Sequence, residues 1–346
     1  MDRVTSYTYD LRGNRTKETV TGDENYVVTN TYDVNNRLTD QTKTVDGSAA
    51  ENIKYYYDAN GNRTFKQVYS YSQGGLMSVQ GGSYQSGTVE SFTYDLQNRL
   101  TGYQSSSTTA SYSYGANGLR KRKSVGGKTT GFVWDRGNLA AEMSGSTITN
   151  MYNYGPDGLT EREKSNGEIS IYLKNAHGDV TGISDEYGIP EERYQFDAFG
   201  NTQTETEPAP FGYSGEYRDA ESGLIYLRNR YYDPETGRFI TEDPVKDGTN
   251  WYVYAANNPI MFVDPWGLED IVVAGGAYHQ GEGEYQYTFV DTALLQIYNM
   301  NDSATLLVAD AGWTQEQRNA IVEVATARGI NMLWFSSIDS LTNYIN

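Results

Sequence analysis

The sequence predicts a mainly β protein, a repeated meander of hairpins followed by a smaller α/β segment. Three observations carry this reading. The pair Tyr-Asp recurs at Tyr9-Asp10, Tyr32-Asp33, Tyr57-Asp58 and Tyr94-Asp95. Each is followed by a polar turn and by Asn-Arg, at Asn14-Arg15, Asn36-Arg37, Asn62-Arg63 and Asn98-Arg99. Aromatic residues make up 13% of the 346-residue chain and Tyr alone contributes 31, a composition suited to a half-covered pleated surface. Aromatic and polar residues also alternate, as in Thr5-Ser6-Tyr7-Thr8-Tyr9 and Ser111-Tyr112-Ser113-Tyr114, which is the period of a strand with one face covered.

The turns follow from the residues between these strands. Gly13-Asn14, Asn60-Gly61, Asn117-Gly118 and Asp157-Gly158 place at their second position a residue that tolerates positive φ, so they close two-residue or bulged hairpins. Degenerate copies follow at Tyr114-Gly115, Trp134-Asp135 and Tyr154-Gly155. From about Tyr172 to Gly200 the last standard turns are expected at His177-Gly178-Asp179 and Asp197-Ala198-Phe199-Gly200. No single unit buries its aromatic face alone, so the units must stack.

Composition excludes several classes. A net charge of −18, with 27 basic against 45 acidic residues, argues against a nucleic-acid-binding surface. No run of 18 apolar residues exists, so no membrane-spanning helix is expected. The absence of Cys removes disulfides, thiol nucleophiles and thiolate metal sites. No phosphate-cradling glycine motif is present, and neither a cofactor nor a metal is expected. The N-terminus lacks a signal-peptide pattern and begins within a repeat, so a longer polypeptide with its export signal upstream is expected.

Between Tyr231 and Leu268 lies a block dense in turn-forming pairs, YYDPETGRFITEDP, WYVYAANNPI and FVDPWGL, with Asp-Pro at Asp233, Asp243 and Asp264. Together with the YDxxGNR units, this block resembles the RHS/YD-repeat family, relatives of the teneurin YD shell, over about residues 1–268. The resemblance implies a spiral β-sheet, here a partial β-shell, that encloses a toxic C-terminal segment. It divides the chain into a repeat array at 1–210, an RHS repeat-associated core at 211–268 and a variable effector at 269–346. A closed shell of this kind needs more sheet than residues 1–268 supply, so an open strip with an exposed edge is expected from this chain alone.

The resemblance also implies an aspartyl-type self-cleavage just after a DPxGL motif, here Asp264-Pro265-Trp266-Gly267-Leu268. Carried over by position, Asp243 and Asp264 form the carboxylate pair and Leu268-Glu269 is the scissile bond. Two carboxyls held close together cannot both ionise, so one stays protonated while the other activates water. Arg238 is expected to orient a carboxylate or stabilise the developing oxyanion. The bland alternative is that Asp-Pro pairs start turns, which is the role assigned to Asp233 with Thr236-Gly237.

After Leu268 the texture changes: residues 269–346 hold no Lys, two Arg and ten acidic residues. Strands are expected at Val272-Val273, Tyr287–Val290, Thr305–Ala309 and Asn331–Phe335. Helices are expected from Thr314, lined by Ile321, Val324 and Ala325, and from Ser337 to Tyr344. This order reads as a small, open and truncated α/β domain. Asp310-Ala311-Gly312 is read as a helix-entry turn. His279 has no partner with which to form a catalytic pair, and His177 is read as a packed or surface turn residue.

The functional expectation is an RHS-type polymorphic toxin fragment, secreted or at the cell surface. Its implied partners are an upstream carrier region of the same polypeptide, an export apparatus, a target cell and an immunity protein that binds the tail. The alternative is a non-enzymatic YD-repeat surface protein that binds carbohydrate or other cells.

Overall fold

A computed structural model of the chain describes residues 3–22, 24–71, 84–155, 158–206, 208, 210–246 and 248–268. In the C-terminal part it describes 271–274, 305–309, 315, 318–319, 322–323, 326 and 331–335. The chain forms two compact units that interleave along the sequence. One comprises Met1–Ser113, Lys123–Lys128 and Phe239–Val253; the other comprises Tyr114–Arg122, Thr129–Arg238 and Tyr254–Asn346.

The seventeen strands between Val4 and Arg193 make the long antiparallel sheet that the repeats predict. In the first unit Val4–Tyr9, Arg15–Thr21, Tyr26–Tyr32, Leu38–Val45 and Ser48–Tyr57 each pair with the next. Arg63–Tyr71, Tyr84–Tyr94 and Leu100–Gln104 continue the ladder. In the second unit Asn138–Ser144, Thr147–Gly155, Gly158–Lys164, Ile169–Lys174, Val180–Asp185 and Pro190–Arg193 do the same. Alternation is clear where both faces are set, as at Thr109–Tyr114, where Ala110 and Tyr112 are buried and their neighbours are exposed. The first strand is covered less: Tyr7 is half-buried and Tyr9 is exposed.

The carboxylate of each Tyr-Asp pair builds its turn. Asp10 Oδ1 accepts the amides of Arg12 and Asn14, and its Oδ2 accepts the Asn14 side chain. Asp58 does the same with Asn60 and Asn62. Asp33 and Asp95 bind the amides two and four residues on and the Nε of Arg37 and Arg99. Such Asx loops are five residues long, and their fourth position must turn left-handed. Gly13 (φ 75°), Asn36 (62°), Gly61 (80°) and Asn98 (59°) hold that place. Of the two expected closures these hairpins take the bulged one, with a register shift just before each loop, and the residue of positive φ in the first turn is Gly13, not Asn14. The Asn-Arg pairs do not share one register either, since Asn14 sits fifth in its loop and Asn36 fourth. True two-residue turns occur elsewhere, as at Asp46-Gly47 (φ 48° and 79°), where both residues are left-handed as a type I′ turn requires.

The sixth position of each loop enters the core. Arg15, Leu38, Arg63, Leu100 and Arg120 stand there, all buried to 4% exposure or less. The arginines are tolerated because aromatic faces receive them: Arg63 lies 5.0 Å from the centroid of Phe92 and 5.5 Å from that of Tyr55. Arg120 lies over Phe132, Tyr217 and Tyr226 and pairs with the equally buried Asp219. The backbone carbonyl at this position then receives the aromatic donor of the following repeat. Tyr32 Oη donates to Arg15 O (2.8 Å), Tyr94 Oη to Arg63 O (2.7 Å) and Trp134 Nε1 to Arg120 O (2.6 Å). In the second unit Phe132, Leu139, Tyr152, Tyr172 and Phe211 extend the core, with Phe211 edge-on to Tyr152 at 5.1 Å.

The block after residue 210 divides. Phe239–Val253 packs on the turns of the first unit: Asn250 Nδ2 reaches Asn14 Oδ1 (2.7 Å), Asn36 Nδ2 reaches Thr249 O (2.9 Å) and Tyr252 Oη reaches Gly61 O (2.8 Å). Tyr217–Arg218, Ile225–Leu227 and Arg230–Asp233 form a small meander in the second unit. Beyond it Phe262–Val263 pairs antiparallel with Ile271–Ala274, and Thr305–Ala309 and Asn331–Phe335 add in parallel. Gln315, Arg318, Asn319, Val322, Glu323 and Thr326 are helical, and all but the half-buried Arg318 are exposed. Ile321, Val324 and Ala325, with the strand expected at Tyr287–Val290 and the helix at Ser337–Tyr344, lie outside the described residues.

Two predictions follow from the turns. Asp58→Asn should keep the two amide bonds, as Asn175 Oδ1 does, but it sets a second NH2 group against Asn62 Nδ2, where Asn175 Nδ2 meets the acceptor Asp179; the urea midpoint should fall, by less than for Asp58→Ala. Asp58→Ala should cost about 1–3 kcal/mol, because it leaves two amides and an amide side chain without their acceptor. In the Asn175 turn, burial lowers the His177 pKa, but the hydrogen bond and charge of Asp179 outweigh it and hold it above the ordinary 6.5. Burial raises that of Asp179, yet His177, the Ser214 amide and Asn175 bring it below 3.8. The pair therefore stabilises fully between those two ordinary values. It weakens as pH rises through the raised His177 pKa, and again as pH falls through the lowered Asp179 pKa. The urea midpoint should drop between about pH 6 and about pH 8.5, and His177→Gln should remove that alkaline drop.

Candidate functional site

The three Asp-Pro aspartates all begin turns, and their carboxylates are put to different uses. Asp233, in the second unit, closes the Asp233–Gly237 hairpin: its Oδ1 accepts the Glu235 amide (3.0 Å) and its carbonyl the Gly237 amide (2.8 Å). Thr236 Oγ1 also donates to that carbonyl.

Asp243 lies in the first unit and is 6% exposed. Its amide donates to Trp251 O (3.0 Å), its carbonyl accepts the Lys246 amide (3.1 Å) and its Oδ1 accepts the Val245 amide (2.8 Å). The proline at 244 presets the turn that makes this contact. Lys246 pairs with Glu242 (3.1 Å) and lies over Trp251, 4.5 Å from its centroid.

Asp264 belongs to the second unit and is 2% exposed. Its Oδ1 accepts the amide of Leu268 at 3.1 Å, so a buried carboxylate spans the whole DPWGL motif and ends beside the bond expected to break. Its Oδ2 lies 3.4 Å from Arg230 Nη2. Glu269 falls outside the described residues.

The hairpin turn Arg228-Asn229 and the adjoining Arg230 hold the motif's backbone. Arg228 Nη1 donates to Pro265 O (2.5 Å), Asn229 Nδ2 to Trp266 O (3.0 Å) and Arg230 Nε to Gly267 O (2.5 Å). Three successive residues thus bind three successive carbonyls. Arg228, itself at φ 58°, also donates to both oxygens of the buried Glu216 at 2.7 Å and to Gly137 O at 3.0 Å. Burial raises the Glu216 pKa against the opposing pull of Arg228. Gly267 sits at φ 64°, and a Cβ there would lie 2.9 Å from Leu227 O, so the motif's glycine is required twice over. The Trp266 ring rests on the Arg228 guanidinium at 5.3 Å. It also occupies the space a side chain at Gly137 would need, 2.4 Å from an ideal Cβ.

Arg238, the arginine singled out from the sequence, is buried at 4% in the strand Arg238–Phe239, in the second unit up to its own position. Arg230 meets Asp264. Sequence reading missed it, although its signal is present in Leu227-Arg228-Asn229-Arg230, a basic pair ahead of the first Asp-Pro. His177 is a half-buried turn residue bound to Asp179, whereas His279 and Asp310-Ala311-Gly312 lie outside the described residues. Among the described residues no cluster of His, Cys, Asp and Glu fits a metal ion, and no helix is long and apolar enough to cross a membrane.

Comparison with known proteins gives the family. The tRNA3(Ser)-specific nuclease WapA of Bacillus spizizenii is 34% identical over 298 residues, 80% of this chain but 12% of that relative's length. Toxin protein Tse5 of Pseudomonas aeruginosa is 40% identical over 114 residues, 32% of this chain and 9% of its own. A crystal structure of TcdB2-TccC3 without its hypervariable C-terminal region aligns with 76% of this chain and 17% of its own, at 18% identity and a TM-score of 0.42. The family model of the teneurin YD-shell matches residues 4–263, three quarters of the molecule, and the chain belongs to that family.

Proposed function

We propose that this chain is the C-terminal portion of an RHS-type polymorphic toxin. In this reading a repeat array at 1–210 and a core at 211–268 form part of a shell that carries an α/β effector at 269–346. Self-cleavage after Leu268 detaches the effector from its carrier. The toxin class is supported by the likeness to Tse5 and WapA, each of which is far longer than the matched region. The whole protein is secreted or displayed at the cell surface. Its partners are the upstream shell and an immunity protein specific for the tail.

The observation that carries the cleavage reading is the hydrogen bond from the Leu268 amide to the buried carboxylate of Asp264. An acid held there by the substrate's own backbone stands within one residue of the scissile bond. In the mechanism, the ionised member of the Asp243–Asp264 pair takes a proton from water, and the water oxygen bonds to the Leu268 carbonyl carbon. The protonated member gives its proton to the carbonyl oxygen, and Arg238 or Arg230 steadies the developing charge. Collapse breaks the C–N bond and places a proton on the leaving amine, which leaves a Leu268 carboxylate and a Glu269 amine. Pairing lets one acid serve as base while the other serves as proton donor.

Mass analysis of the purified full chain tests this directly: two species are expected, divided between residues 268 and 269. Asp264→Asn and Asp243→Asn should each lower the cleavage rate by at least about 10²-fold and leave one intact species. A variant that still separates at this bond at the parent rate removes that aspartate from the mechanism. A chain that stays whole under all conditions favours instead a YD-repeat surface protein that binds cells or carbohydrate.

A further inference from the structure

The hairpin turn at Arg228–Arg230 contacts the DPWGL motif through all three of its side chains. Its three side chains donate in order to Pro265 O, Trp266 O and Gly267 O, each across the same separation of 37 residues. A second donor at Trp266 O is the Asn229 amide (3.3 Å). Two segments that stay in step for three residues through side-chain donors behave as a ruler. A slip of one residue would misplace every carbonyl at once.

The ruler is anchored at both ends. Arg228 is fixed from behind by both oxygens of Glu216 and by Gly137 O. Arg230 is 5% exposed and reaches Gly267 O with Nε and Asp264 with Nη2, so one guanidinium binds both the motif's backbone and its acid. Trp266 locks the middle, with its ring between the Arg228 guanidinium and the bare backbone of Gly137. The chain leaves this frame at Leu268, whose amide is the next group held, by Asp264.

We infer that Arg228, Asn229 and Arg230 are positioning residues that set which peptide bond is cut. They hold residues 265–267 in one register so that the bond after Leu268, and no neighbour, is presented for hydrolysis. The inference rests on the self-cleavage reading and deepens it. Cutting an untethered backbone would spread over adjacent bonds, because an acid pair by itself has no means of counting residues. A displacement of even about 1 Å at the reacting carbonyl is enough to cost a large factor in rate. The pocket for Trp266 likewise makes Gly137 a determinant of how large a residue the variable position of the motif accepts.

The test compares the full chain with Arg228→Lys/Asn229→Ala, a pair that keeps the charge facing Glu216 but removes the planar fork and the exposed amide side chain. Two quantities are read: the fraction of intact chain with time after synthesis, and the masses of the released fragments. The expected result is cleavage slowed about tenfold to a hundredfold, with fragments ending at bonds on either side of 268–269 as well as at it. Trp266→Ala, which removes a half-buried ring, should give the same spread. A variant that is slower but cuts at a single bond shows a structural role only and overturns the inference. So does one that matches the parent in rate and position. A parent chain that never cuts overturns the self-cleavage reading together with this one, a result distinct from the other two.

Discussion

The aspartate of the Tyr-Asp pair is the group on which the rest of the array depends. Its two oxygens gather two backbone amides and a side chain into a five-residue loop, and that loop decides which residue next enters the core. Because the loop has a fixed length, the sixth residue always faces inward, whether it is Leu38 or Arg63. The tyrosine one place before the aspartate then donates to the carbonyl beneath that sixth residue in an earlier repeat. Turn, core position and inter-repeat contact are therefore one device. Stability in such an array accumulates from neighbour to neighbour, not from one central core.

The core made this way is unusual in its chemistry. It sets tyrosine, phenylalanine and arginine beside leucine, isoleucine and valine. Several buried tyrosines place their hydroxyls on backbone carbonyls: Tyr232 donates to Phe199 O, Tyr213 to Ala198 O and Tyr252 to Gly61 O. Buried arginine is costly to desolvate, and Arg120 meets that cost with Asp219 and four surrounding rings. Polar demands of this kind have few solutions, so they favour one arrangement of the strands over its alternatives.

The junction follows the same logic with a different purpose. In DPWGL the aspartate reaches forward to Leu268, the glycine is forced by a left-handed backbone against Leu227, and the tryptophan fills the space left by Gly137. Each letter of the motif answers to a contact.

Much of this was legible in the sequence. The repeats, the alternation and the turn role of Asp233 rest on contacts within a few residues, which local periodicity records, and the apolar runs at Thr305–Ala309 and Asn331–Phe335 marked strands without naming their partners. What the sequence left undecided involves distance. The pairing of Asn-Arg dipeptides hid the fact that Gly13 corresponds to Asn36, because register within a loop is set by hydrogen bonds and not by matching letters. Arg230 reaches Asp264 across 34 positions, a contact that no local pattern marks. The same holds for Phe239–Val253, which returns to turns more than 190 residues earlier, as Tyr252 does to Gly61 (separation 191). Sequence by itself determined the repeating unit, since its physics is local. Only the folded chain decided which units and which arginine meet the junction, since those contacts are made by segments that chain connectivity does not bring together.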